Sequence, residues 1–150
     1  MSEHHASIHW RRGDAAFNYE TYSRDHDWRF DGGPCVPASA APAYRGNPGR
    51  VDPEEAFVAA VSSCHMLTLL AIAARKRWIV ERYDDDAVGT MSPNADGRLA
   101  VTRIELRPRI EFAPGSAPDA AQLARLHEQA HADCFIANSV RTEVVVRPPP

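Results

Sequence analysis

The stretch Asp52–Trp78, DPEEAFVAAVSSCHMLTLLAIAARKRW, carries the start, the middle and the end of one long helix. Asp52 suits an N-cap, Pro53 suits the first helical position, and Glu55 falls three residues after the cap. Glu54 and Glu55 put negative charge where the helix dipole favours it, and Arg75, Lys76 and Arg77 put positive charge at the other end. From Ala56 to Ala74 there is no formal charge, with His65 neutral. That run is about as long as the shortest membrane spans. It is rich in Ala and carries Ser62, Ser63, Cys64, His65 and Thr68, so it is only moderately apolar. The cost of inserting those polar groups into lipid favours a helix buried in protein.

The whole chain fits around such a helix. Its 150 residues are 44% hydrophobic and 25% charged, which predicts one globular domain, residues 1–150, with a real core. A net charge of -3 gives no electrostatic case for nucleic acid. The opening MSEHHASIHWRRGD lacks an apolar signal-peptide core, which predicts a cytoplasmic protein. Cys35, Cys64 and Cys134 are too few, and odd in number, for a secreted disulfide scaffold.

Upstream, three segments read as strands: His4–Arg11, Ala15–Ser23 with its alternating Phe17, Tyr19 and Thr21, and Arg24–Asp31 running into Gly32-Gly33. Residues 33–51, with Pro34, Pro37, Pro42 and Pro48, read as a long irregular loop that holds Cys35. Downstream, Ile79–Met91 reads as a strand interrupted by Asp84-Asp85-Asp86. Neighbouring strand residues point to opposite faces, so the acidic run predicts a solvated edge rather than an ion site. A turn at Ser92–Gly97 leads to a strand over Leu99–Phe112, and the two pair as a hairpin, with Pro108 marking a bulge or an edge. Ser116 or Asp119 starts a second helix that runs towards Asp133. Cys134 and FIANS follow, then a last strand over Arg141–Arg147, stopped by Pro148–Pro150. The order is an α+β pattern.

Cys64, mid-helix, reads on its own as a small core side chain. The polar cluster SSCH around it, and a second thiol at the end of AHADC, raise its interest. Two thiols far apart in sequence can meet and cycle through a disulfide, although spacing alone does not show that they do. A competing use is zinc: His127, His131 and Cys134 stand at i, i+4 and i+7, and Cys64 would complete a tetrahedral set. No C-x-x-C pair supports that reading.

Pro53-Glu54-Glu55-Ala56-Phe57, with Cys64 eleven residues after the proline, resembles the first signature of the OsmC/Ohr family of thiol peroxidases, the osmotically inducible protein C and organic hydroperoxide resistance proteins. Ala130-His131-Ala132-Asp133-Cys134, followed by Asn138-Ser139, resembles the second, and the stretch from Tyr22 to Gly33 is similar to the family's N-terminal sheet. Phe135 and His65 depart from the hydroperoxide-resistance branch, which has proline and phenylalanine there, and place the chain nearer the OsmC or OsmC-like branch. The resemblance implies an OsmC-like fold, antiparallel sheets wrapped around a long central helix, in an intertwined homodimer. It implies reduction of organic hydroperoxides with no cofactor, Cys64 peroxidatic and Cys134 resolving, with Arg24 and Glu54 as the family's arginine and glutamate. A lipoyl-type or thioredoxin-type dithiol would be the reductant. A non-catalytic protein of the same fold, binding a small ligand, is the alternative.

The implied roles meet a physical constraint. A peroxidatic thiol reacts as thiolate, and Cys64 lies too far along its helix for the dipole to activate it, so it needs a cation such as Arg24. Glu54 can hold an arginine by a bidentate pair. Ten residues of helix put Glu54 roughly 15 Å from Cys64. A continuous helix therefore predicts that each site draws on two subunits.

Overall fold

In the computed structural model, which describes residues 1–148, the box written at Asp52 forms: its carboxylate accepts the Glu55 N–H at 2.7 Å, and the Glu55 carboxylate accepts the Asp52 N–H at 3.1 Å. The helix α1 runs from Pro53 to Arg75. It ends in a Schellman pattern, with Trp78 N–H bonded to the Ala73 carbonyl, Arg77 N–H to that of Ala74, and Arg77 in the left-handed region at φ 62°. By length and mean hydropathy α1 matches a membrane span, yet Val61, His65, Leu69, Ile72 and Ala73 are buried in protein.

The chain forms two compact units, Met1–Ala56 and Phe57–Pro150. The N-terminal unit is a three-stranded antiparallel sheet in the order β1-β2-β3, with β1 at Ala6–His9, β2 at His26–Phe30 and β3 at Cys35–Ala38. Gly32 and Gly33, at φ 85° and 98°, make the β2–β3 turn that a side chain would strain. The strand expected over Ala15–Ser23 is absent. Those residues form turns in which Asn18 accepts from the Thr21 N–H and hydroxyl, while Phe17 and Tyr22 pack edgewise with Trp10. Their alternation comes from an aromatic cluster, not from a pleat.

The expected irregular loop over 33–51 also needs correction. It contains β3, a 3-10 turn at Pro42–Tyr44 and a bridge between Ala38 and Val51. Pro37 is tolerated because β3 is an edge strand, where a missing N–H interrupts no ladder. Cys35 is therefore an exposed strand residue, paired with Arg29.

The C-terminal unit surrounds α1 with two sheets. β4, Val80–Asp85, pairs antiparallel with β7, Pro108–Phe112. β5, Val88–Pro93, and β6, Leu99–Leu106, form the expected hairpin, and β8, Glu143–Val146, lies parallel to β6. Two segments read as single strands are thus split. The break falls at Arg107, whose N–H is held by one oxygen of Asp85 at 2.6 Å while the other accepts from Ser62 on α1 at 2.5 Å. Asp86 pairs with Arg109. Pro108 is buried at the start of β7.

Asp119, not Ser116, caps α2, Ala120–Ala132, through a capping box with Gln122. A short helix α3 at Phe135–Asn138, which the sequence did not announce, precedes β8. Of the proline stop expected after β8, Pro149 and Pro150 lie outside the described residues. Early in α1, Val61 packs with Ile104 and Leu106 of β6. Further along, Leu69, Ile72 and Ala73 pack with Leu126 and Ala130 of α2, under Trp78, Tyr83 and Ile110.

Candidate active site: two thiols at the start of a short helix

The fold of the C-terminal unit brings Cys64 and Cys134 together. Cys64, part-exposed on α1, lines an open cleft of about 810 Å³ with Leu67, Thr68, Arg75, Phe135 and Ile136. Thr68 donates its hydroxyl to the Cys64 carbonyl at 2.9 Å. Cys134 follows Asp133, the C-cap of α2, and serves as N-cap of α3. Both thiols are free, and Cys64 lies near enough to Cys134 to perturb its titration. Each sulfur also accepts a backbone N–H from α3: Ile136 to Cys64 at 3.5 Å, Ala137 to Cys134 at 3.4 Å. Cys134 is 1% exposed. Burial, and then the neighbouring Cys64 thiol, push its thiol up to about 11, against the opposing pull of the Ala137 N–H.

Directly after Cys64, His65 is fully buried. Its Nε2 lies 3.4 Å from Nδ1 of His127 on α2, with the rings parallel and 5.7 Å apart. Burial first, then the nearness of His127 and His131, push His65 down to about 4; burial alone lowers His127. His65 Nδ1, His127 Nε2 and His131 Nδ1 have no partner among the described residues. The reading of the sequence missed this pairing. Its signal was there, in the histidine of SSCH and the i, i+4 histidines of α2. The zinc alternative is not supported by this arrangement: His127 turns to His65, Cys134 turns to Cys64, and no three such side chains among the described residues are placed to hold one ion.

Arg24 and Glu54 belong to the N-terminal unit. The Arg24 guanidinium lies 3.7 Å over the Tyr22 ring and 5.2 Å over that of Tyr19, and donates to the Tyr22 and Tyr19 carbonyls at 2.5 Å each. It borders a hollow of about 490 Å³ with Ile8, Trp10, Phe17 and His26. Glu54 lies half-buried in the first turn of α1 and forms no ion pair with Arg24 among the described residues.

A long helix carrying one thiol, flanked by sheets and a second helix that delivers another, defines an α+β protein with two neighbouring thiols in its C-terminal unit. A family model described as "OsmC-like protein" matches residues 46–148, and the chain belongs to the OsmC family. An OsmC-like protein of unknown function from Vibrio cholerae is 51% identical, with 99% of this chain and 100% of that one covered at a TM-score of 0.95. An organic hydroperoxide resistance protein from Legionella pneumophila (17% identity, 99% and 96% covered, TM-score 0.69) and another from Elizabethkingia anophelis (18%, 99% and 94%, 0.71) share the fold. No curated protein matches the sequence.

Proposed function

We propose that this protein is a cysteine-based peroxidase that reduces organic hydroperoxides to alcohols. The observation that carries the reading is the pair of free, touching thiols, one open to a cleft and one buried. The Cys64 thiolate attacks the terminal peroxide oxygen, breaking the O–O bond, and the departing alkoxide takes a proton to leave as ROH. Cys64 is then a sulfenic acid. Cys134, as thiolate, attacks that sulfur and displaces hydroxide, which leaves as water once protonated; a Cys64–Cys134 disulfide remains. A lipoyl-type or thioredoxin-type dithiol restores both thiols by exchange. Free cysteines suit the reducing cytoplasm, which is the compartment we assign.

The assembly we propose is a homodimer. α1 is unbroken from Pro53 to Arg75, so Glu54 and Cys64 of one helix stand roughly 15 Å apart. Each site would combine Cys64 and Cys134 of one subunit with Arg24 and Glu54 of the other. The exposed Leu67, on the face of α1 that carries Cys64, supports a partner there.

Treatment with cumene hydroperoxide, then thiol counting and disulfide mapping by mass spectrometry, tests the chemistry. A Cys64–Cys134 bond is expected; Cys64 still reduced in excess peroxide overturns it and leaves ligand binding in the cleft as the surviving reading. Sedimentation over a dilution series tests the assembly, and full activity from a monomer defeats it.

A further inference from the structure

The first N–H groups of any helix lack an internal partner, and a Ser, Thr, Asp or Asn side chain usually supplies one. In α3 sulfur supplies it twice, through Ile136 N–H to Cys64 and Ala137 N–H to Cys134. The other support of this four-residue helix is modest and includes the Ser139 hydroxyl, which donates to the Phe135 carbonyl at 2.7 Å. Its backbone closes through Asn138 N–H to the Cys134 carbonyl and Ser139 N–H to that of Ile136. Asn138 also donates to the Ala132 carbonyl, and Ile136 touches the Val61–Ile104–Leu106 cluster. Phe135 is 79% exposed and contributes almost no burial.

Joining the two sulfurs changes both caps. The thiols give up two electrons and two protons to an oxidant, and one S–S bond of about 2.05 Å forms, with its Cβ–S–S–Cβ dihedral near ±90°. Non-bonded sulfurs sit more than an ångström further apart, so at least one side chain must leave the position from which it accepts its N–H. We propose that α3 is a redox-responsive flap: the dithiol caps and orders Phe135–Asn138, and the Cys64–Cys134 disulfide releases it. Phe135, Ile136 and Asn138 form one wall of the Cys64 cleft, so release opens the oxidised sulfurs, and above all the buried Cys134, to a reducing thiol. The flap rests on the peroxidase reading only for its natural oxidant.

Amide hydrogen exchange of the full-length protein tests this, with the disulfide made by diamide, whose azo bond takes up the two electrons and two protons. Ile136 and Ala137 should exchange about fivefold or more faster in the disulfide form, the scale of one lost helix cap. Unchanged or slower exchange, or no Cys64–Cys134 bond under diamide, overturns the flap. Cys134→Ser keeps a capping oxygen and cannot form the bond, so its α3 amides should stay protected with and without diamide; acceleration there also overturns it. Diamide bypasses peroxide. A protein inert to cumene hydroperoxide that still shows the exchange change would sink the peroxidase and leave the flap.

Discussion

Cys64 and Cys134 lie side by side and each accepts a backbone N–H from α3, yet they differ in almost every other respect. Cys64 sits in the middle of a 23-residue helix, with a cleft in front of it and a buried histidine behind. Cys134 sits between two helices, is 1% exposed, and keeps its proton to about 11. An accessible thiol can meet a substrate; a buried one held as a thiol waits for a partner already in place. In the proposed peroxidase cycle, burial would separate the attacking sulfur from the resolving one without any difference in residue type.

The largest test of that asymmetry is to remove each sulfur in turn. Cys64→Ser should abolish consumption of cumene hydroperoxide, measured as residual peroxide. Cys134→Ser should keep the first turnover and stall the next, leaving a Cys64 sulfenic acid that dimedone traps. Wild-type turnover by Cys134→Ser would collapse the distinction. Next comes the histidine behind Cys64. The folded His65 pKa, about 4, lies below the ordinary 6.5, so the unfolded chain binds the extra proton between those values. Stability should be level above pH 6.5 and fall by about 3 kcal/mol on acidification to pH 4. Urea midpoints across that range should lose most of this slope in His65→Phe; an unchanged slope means that other groups carry it.

Cys134 predicts the opposite limb. Its folded pKa is raised from 9.0 to about 11, so its contribution is complete below pH 9 and lost as pH climbs to 11, by about 2 to 3 kcal/mol. Comparing thermal midpoints at pH 8.5 and 10.5, Cys134→Ser should fall less than the unmodified protein. The smallest effect concerns the helix that delivers Cys134. Asp119→Ala removes the carboxylate that accepts the Gln122 N–H, leaves the backbone N–H that Gln122 accepts, and should lower stability by about 1 kcal/mol in a denaturant melt, with disulfide formation unaltered. A large loss of disulfide formation would show that the start of α2 positions its far end.

Local signals were legible in the sequence and long-range ones were not. The start of α1 could be read because Asp52, Pro53 and Glu55 act on their own backbone; the start of α2 was narrowed to Ser116 or Asp119, and the bond from Gln122 N–H decides for Asp119. After α1, alternation and turn residues placed the β5–β6 hairpin, α2 and β8, but not the splits that make β4 and β7 or the short α3. Alternation misled at Ala15–Ser23, where Phe17 and Tyr22 pack on Trp10 in turns. Prolines misled around β3, because an edge strand accepts Pro37. The break between β6 and β7 depends on the Asp85 carboxylate, 22 residues from Arg107, which no local window contains. At the site, the two cysteines were visible by type and by their family signatures. The His65–His127 contact was not, since it joins residues 62 apart whose spacing on each helix suits an ordinary core face equally well.

The paired histidines also hold a binary choice. One hydrogen lies between His65 Nε2 and His127 Nδ1, and each neutral ring carries only one. If His65 supplies it, the outer His65 Nδ1 is a bare lone pair and the outer His127 Nε2 carries hydrogen. If His127 supplies it, both ends reverse. The two tautomers of this sealed pair therefore have opposite polarity. Switching from the first to the second moves the outer donor from His127 on α2 to His65 on the Cys64-bearing helix, while each ring keeps one hydrogen and the net charge stays at zero.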